Sequence, residues 1–225
     1  EAQKLANAEG LTVREDPQLL EEVAGLVEWP LVYMGSIEDV FMDVPPEVLI
    51  TTMRSHQKYF CCLDANFNVA NRFIMVANTE TKDNGHKVIC GNERVLKARL
   101  SDAKFFWDQD RKTSLVSRAT ELKNRIFHAK LGSLEQKAIR VKVLATEIAS
   151  YVKNADKDKV GLAAEVAKAD LSSKMVGEFP ELQGVMGRYY AIYDGLPLEV
   201  ADAIAEHYSP LGPNDKCPSK SISIC

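Results

Sequence analysis

Four cations recur along one stretch of this chain: Arg94, Lys97, Lys104 and Arg111, spaced three, seven and seven residues apart. Those spacings return to one side of a helix, opposite the apolar positions Leu96, Leu100 and Trp107. A row of cations so placed can hold a phosphate backbone through charge and counterion release. Arg99 lies off the row, and Asp102, Asp108 and Asp110 nearby make a mixed, solvated face the plainer reading. A second polar group, Arg54, His56, Gln57 and Lys58, precedes Tyr59 and Phe60 at a helix-to-strand junction, a rim position where a ligand or an RNA end could be read. Arg188-Tyr189-Tyr190 joins a cation to rings that could stack on a base, although packing of at least one tyrosine into a core is the simpler expectation.

Bond-breaking chemistry is harder to assemble. In Lys168-Ala169-Asp170-Leu171 a carboxylate stands beside an alanine. A divalent metal lowers the pKa of its bound water, but it must first be held by several donors. Ala169 supplies none, and none of His56, His86, His128 and His207 pairs locally with an aspartate. Asp170 is therefore expected to be structural, a partly buried carboxylate set against a lysine or a helix end. His86 and Cys90, four apart, are half of a zinc site with no second half, which leaves a loop histidine and a core cysteine. The adjacent Cys61 and Cys62 lie on a strand and point to opposite faces, so one should be buried and the other partly exposed. The chain has no GxxxxGK[ST], GxGxxG or GxSxG pattern. Gly177, Gly184 and Gly187 read as close-packing or turn positions.

The elements that would position these groups change character along the chain. With 225 residues, 46% hydrophobic and 27% charged, one or two domains with sizeable cores are expected. A net charge of −4 gives no overall nucleic-acid signal, so a local patch must supply it. No apolar run is long enough to cross a membrane, and no basic-then-apolar leader is present. Five scattered cysteines argue against a disulfide framework and suit a reducing cytoplasm. Both ends read as cuts within a longer chain. Pro17 to Glu28 has a helical pattern, Leu31 to Met34 is strand-like, and Pro45-Pro46 opens a helix carrying Val48, Leu49, Thr52 and Met53. Tyr59–Leu63 and Phe73–Ala77 are β-rich around a turn at Asp64–Asn68. Asn92 to about Asp108 is a helix whose face is Leu96, Leu100, Ala103 and Trp107. Beyond Arg111 the chain reads as wholly helical, with the boundary between about Asp108 and Ser117. Ser133 with Gln136 forms a capping box. The next helix shows Val141, Leu144, Ile148 and Val152 as its stripe. Another, from about Lys157, shows Val160, Ala164, Ala167 and Leu171, and Gly195-Leu196-Pro197 separates two more.

Lys168–Leu171, followed by Glu178-Phe179-Pro180-Glu181-Leu182-Gln183-Gly184-Val185-Met186-Gly187-Arg188-Tyr189-Tyr190, resembles the centre of a helical His-Asp phosphohydrolase domain in which Ala169 stands at the histidine. Further runs resemble the β subunit of the bacterial heterotetrameric glycyl-tRNA synthetase. These are Glu21–Pro30, Asp43–Arg54, His56–Phe60, Gly91–Leu96 and Phe179–Tyr190, in collinear order over nearly the whole chain. The resemblance implies an α+β, B3/B4-like domain over residues 1–112, partial at its start. An all-α domain like a degenerate His-Asp phosphohydrolase domain would cover residues 113–225. It implies a cytoplasmic subunit that binds and positions tRNA-Gly, with Arg54, His56, Lys58, Arg94, Lys97, Lys104, Arg111 and Arg188 as contact candidates. ATP, Mg and the glycylation step would belong to the α subunit, and this segment would contribute no catalytic residue, cofactor or metal, with a degenerate site at Ala169 and Asp170. The alternative is an active metal-dependent His-Asp-type nucleotide phosphohydrolase.

Overall fold

A computed structural model describes residues 1–225, which divide into two compact units, Glu1–Phe105 and Phe106–Cys225. The first is mixed α/β. Its helices are α1 (Ala2–Ala8), α2 (Pro17–Leu26), α3 (Pro46–Gln57) and most of α4 (His86–Asp110), which ends in the second unit. Its strands are β1 (Thr12–Val13), β2 (Leu31–Ser36), β3 (Phe60–Leu63) and β4 (Val69–Ala77), all antiparallel to their neighbours in the order β1-β3-β4-β2.

Local chemistry explains the joints. Asp16 caps α2 by accepting the Leu19 amide at 3.0 Å, with Pro17 in the first turn, where no amide is needed. At the end of α3, Lys58 adopts a left-handed conformation and the Tyr59 amide returns to the Met53 carbonyl at 3.0 Å, turning the chain into β3. Between β3 and β4 the Asp64 carboxylate accepts the amides of Asn66 and Asn68, each at 2.8 Å, as the turn chemistry predicts. Gly35 in β2 cannot carry a side chain, because a Cβ there would lie 2.5 Å from the Phe73 ring. At the far end of this edge strand the Ser36 amide and hydroxyl both donate to Glu93 Oε1, at 2.8 and 2.6 Å.

Both vicinal thiols are buried, which corrects the expectation that one would be partly exposed. Cys62 belongs with Phe60, Ile74, Ala6, Leu19 and Val23 on one face of the sheet. Cys61 lies opposite Phe73, whose ring stacks on Tyr59 with centroids 4.7 Å apart, on the other face, where α3 packs. A central strand covered on both sides has no solvent face. Burial pushes the thiols up, Cys61 to about 12 and Cys62 to about 11. A second correction concerns Cys90. Helix α4 begins at His86, ahead of the expected Asn92, and places Cys90 on its exposed side rather than in a core. The expected face of α4, Leu96, Leu100, Ala103 and Trp107, is buried.

The second unit holds α5 (Leu115–Ala119), α6 (Leu134–Ile148), α7 (Lys157–Val166), α8 (Lys174–Glu178), α9 (Val185–Tyr193), α10 (Leu198–Glu206) and α11 (Ser221–Ile224). It is not wholly helical as expected. Strands β5 (Ile126–His128) and β6 (Gly132–Ser133) form a short antiparallel hairpin, closed where Gly132 takes a positive φ of 85°. Strands of two and three residues are too short to show a period of their own. The capping box at Ser133 and Gln136 forms in both directions and starts α6.

The expected stripe of α6 is not what it buries. Ala138, Ala145 and Ala149 are buried, whereas Val141 and Leu144 remain 43% and 62% exposed. The partner is α7, and small side chains let the two helices approach closely. At the crossing, a Cβ on Gly161 would stand 3.5 Å from both Lys142 Cε and Thr146 Oγ1. Helix α7 also stops at Val166, short of the expected Leu171, and a 3-10 turn over Ala169–Ser172 follows.

Candidate functional site

In the first unit the candidate cations are largely engaged by carboxylates. Arg54 donates from Nε to Asp16 Oδ2 at 2.7 Å and from Nη2 to Gln18 Oε1 at 3.1 Å. Burial raises the Asp16 carboxyl, but the hydrogen bonds from Arg54 and the Leu19 amide outweigh it and hold the group below the usual carboxylate range. Lys58 meets Glu22 at 2.7 Å, so Arg54 and Lys58 both tie α3 to the α2 region, while His56 is exposed on the last turn of α3. On α4, Lys97 pairs with Glu38 at 2.5 Å and Lys104 with Asp43 at 3.1 Å. Both therefore lean toward the 38–43 segment instead of standing away from the packed face. Arg94 is exposed and forms no ion pair. Beside it a cleft of about 430 Å³ has Ile37, Phe41, Leu96 and Leu100 as its apolar lining. Exposed ion pairs are worth about 0–1 kcal/mol each, so a polyanion can displace Glu38 from Lys97 at small cost.

In the second unit Arg111 pairs with Asp108 at 2.7 Å, and its guanidinium lies over the rings of Trp107 and Tyr193 at 4.6 and 5.1 Å. Arg188 Nε donates to Asp202 Oδ1 at 2.8 Å, and Lys220 meets the other oxygen of that carboxylate at 2.5 Å. Tyr190 is buried, as expected of at least one tyrosine of the pair, and Tyr189 packs edge-on against Trp107.

The buried charges of this unit form two centres. Asp170 is fully buried where α9 begins, and its Oδ2 accepts the amides of Gly184 at 2.5 Å and Gly187 at 3.2 Å. Gly184, at φ 81°, is the cap residue that aims its amide inward. Oδ1 has no partner. Burial dominates and raises the carboxyl to about 6, against the two amides and the nearby Lys168, which pull it down. Lys168 is lowered to about 8 by burial and by Lys137, and its ammonium sits 3.6 Å from the centre of the Tyr208 ring. His207 is held near 4 by burial and by Lys168, with its Nδ1 2.6 Å from the Ile204 carbonyl.

The other centre is Asp110, with Arg118, and the sequence reading missed it. Asp110 Oδ1 accepts Arg118 Nη2 at 3.1 Å and the Lys174 amide at 3.0 Å. Oδ2 accepts the Met175 amide at 2.9 Å and the Tyr190 hydroxyl at 3.0 Å. Arg118 also donates to the Asp110 and Ser172 carbonyls, at 2.8 and 3.1 Å. One signal could have found this centre. Asp110 continues the Leu100, Ala103, Trp107 spacing by three, so it occupies the next buried position of the α4 stripe. Arg118 has no comparable local signal.

Neither centre supplies a metal cage. No three His, Cys, Asp or Glu side chains come together in a metal-holding group, and His86 with Cys90, 4.0 Å apart, gains no third donor. The lone pairs of Asp110 are used by protein donors, and Asp170 accepts two main-chain amides on Oδ2 while its Oδ1 stands without a partner or a second donor group beside it. Both carboxylates anchor helix starts, α8 for Asp110 and α9 for Asp170. No helix is long and apolar enough to cross a membrane.

Residues 1–225 match a family model described as glycyl-tRNA synthetase beta subunit. The glycine–tRNA ligase beta subunit of Rhodospirillum centenum is 52% identical over 225 residues, covering 99% of this chain and 32% of that protein. That of Ruegeria sp. strain TM1040 is 52% identical over 229 residues, covering 100% and 33%. That of Janthinobacterium sp. strain Marseille is 49% identical over 214 residues, covering 95% and 30%. The chain thus spans about a third of the length of these curated relatives. These similarities are to ligase subunits and lend no support to a nucleotide phosphohydrolase.

Proposed function

Because the chain belongs to the glycyl-tRNA synthetase beta-subunit family, we propose that residues 1–225 are part of the tRNA-handling body of a glycine–tRNA ligase. In this reading the segment binds and positions tRNA-Gly, while a separate α subunit makes the glycyl-adenylate from ATP, Mg and glycine. The enzyme acts in the cytoplasm. The mixed first part is B3/B4-like, and the second is a His-Asp-type helical scaffold that has become a support. The observation that carries the proposal is the family match over the whole of residues 1–225.

The α4 face is the favoured RNA contact. Arg94 is exposed without an ion pair, and Lys97, one turn on, is held only by an exposed pair with Glu38. Both stand at the rim of the cleft over Ile37 and Phe41. Phosphate contacts made there respond to salt, and each lost contact lowers the slope of log affinity against log salt by about 1. The test is the double substitution Arg94→Ala/Lys97→Ala in the full-length subunit, reconstituted with its catalytic partner. tRNA-Gly affinity should fall and the salt slope should drop by about 2. Affinity, slope and glycylation all unchanged would remove α4 from the RNA interface.

A further inference from the structure

The β5–β6 hairpin and the start of α6 carry a charge that the rest of the chain does not. From Lys123 to Arg140 five lysines and arginines stand against one carboxylate, Glu135, although the whole chain has a net charge of −4. Elsewhere in the second unit cations are matched, Lys142 with Glu165, Lys159 with Glu199, and Arg188 and Lys220 with Asp202. Lys123, Arg125, Lys130 and Arg140 are exposed and form no ion pair, and the acids nearest them in sequence, Glu121 and Glu135, form none either. Cations left uncompensated on one small surface repel one another and draw in a polyanion.

Local hydrogen bonds gather these groups. β5 pairs Ile126 with Ser133 and His128 with Gly132, and the Arg125 carbonyl accepts the Leu134 amide at 2.8 Å, so the strand runs beside the start of α6. From α6, Arg140 Nη2 donates to the Leu131 carbonyl at 3.1 Å, which ties the helix to the hairpin tip and leaves its other N–H groups for a ligand. At that tip His128 Nδ1 accepts the Lys130 amide at 3.1 Å, so the neutral ring carries its proton on Nε2 as a further donor. Among the cations stand Ile126, 81% exposed, and Phe127, 41% exposed, with the Lys137 ammonium 4.1 Å from the centre of the Phe127 ring. Unpaired cations around an open ring suit a ligand that alternates phosphates with flat bases. The phosphates are held by charge and counterion release, and an unstacked base lies on an aromatic face. A duplex would offer its phosphates but keep its bases from the ring, which favours a single-stranded segment or a loop.

We propose that the β5–β6 hairpin, together with Arg140, is a second RNA contact. It takes a single-stranded or loop segment of tRNA-Gly, with phosphates on Lys123, Arg125, Lys130 and Arg140 and one base on Phe127. The proposal rests on the tRNA-handling reading and adds to it a contact on the second unit, separate from the α4 row.

The test uses the full-length subunit assembled with its catalytic partner. Arg125→Ala/Lys130→Ala removes two exposed side chains and should lower the slope of log affinity for tRNA-Gly against log salt by about 2. Phe127→Ala should weaken binding about 5- to 150-fold, the worth of one stacked base, and leave the slope unchanged. Acylation of lysines on the wild-type enzyme needs no variant, and Lys123 and Lys130 should both lose reactivity when tRNA-Gly is bound. An unchanged slope in the double variant, or unchanged acylation of both lysines, overturns the hairpin contact while tRNA binding through other surfaces stands. Protection already complete with the catalytic partner and no tRNA overturns it too, because the occupant is then a protein. Unchanged affinity of Phe127→Ala removes the base from that ring. Wild-type enzyme that does not bind tRNA-Gly at all sinks the tRNA-handling reading itself.

Discussion

Asp170→Asn tests the balance of forces around the most deeply buried carboxylate. The group ionises near 3.8 in the unfolded chain and at about 6 in the folded one, because burial outweighs the Gly184 and Gly187 amides. Below the unfolded value both states hold the proton and the folded state suffers no penalty. As pH rises through the interval, the unfolded chain releases its proton while the native one retains it. Above about 6 the native protein carries an ion in its interior. A raised carboxyl therefore contributes stability that is present in acid and lost on going to neutral pH. The separation corresponds to roughly 3 kcal/mol. Asparagine keeps an acceptor oxygen for the two amides and has no charge to bury. Its stability relative to wild type should therefore climb by about that amount between about pH 4 and pH 6.5 and then level off.

The assay is urea unfolding at closely spaced pH values, with the difference between the two proteins plotted against pH, so that titrations common to both cancel. The chain has two tryptophans, and Trp29 is exposed in the first unit while Trp107 is buried in the second. A Trp29→Phe background makes Trp107 emission report the second unit alone, which matters because two units need not unfold as one. A difference constant within about 0.5 kcal/mol across the interval would refute the reasoning, as would one that fell as pH rose.

Two further perturbations probe the same unit by different means. Arg118→Met strips the cation from Asp110 and a donor from the Ser172 carbonyl, and removing one partner of a buried pair costs about 3–5 kcal/mol. A loss under about 1 kcal/mol by Trp107-monitored urea unfolding would show that the other donors to Asp110 suffice. Gly187→Ala places a Cβ 2.6 Å from Ile204 Cγ2 and 3.2 Å from Asp170 Oδ2, so overpacking should lower stability by about 1–3 kcal/mol. Gly177→Ala, in α8 with nothing within 4 Å, should be neutral or gain up to about 1 kcal/mol. Equal melting temperatures for the two variants would contradict the packing account.

What could be read from the sequence was whatever a short window encodes. Proline positions and apolar spacing located α3 and the buried face of α4, the Asp64 turn located the β3–β4 hairpin, and Ser133 with Gln136 located the start of α6. Failures arose where partners distant in the chain decide the outcome. Periodicity chose Val141, Leu144 and Ile148 for α6, but α7 meets the alanines, a choice set by how closely two backbones approach. Cys61 and Cys62 were assigned opposite fates because alternation reveals two faces but not that both are covered. Among the candidate cations, Lys97 and Lys104 gained their carboxylates from a segment about 60 residues away in the chain, beyond the reach of any helical-face argument. Asp110 and Tyr190, 80 residues apart, meet only once the helices have packed.

The Glu93 side chain on Ser36 bears on how this protein behaves in crowded solution. An antiparallel sheet that ends in an open strand offers its unpaired amides to any other strand, and such edges drive self-association. One border here, β1, is two residues long and gives a stranger little to pair with. At the other border, β2 is six residues long, and Glu93 fills the hydrogen-bonding position of its last amide with a negative charge. The carboxylate thus occupies, at this end of β2, the one amide that an added strand would have to pair with there.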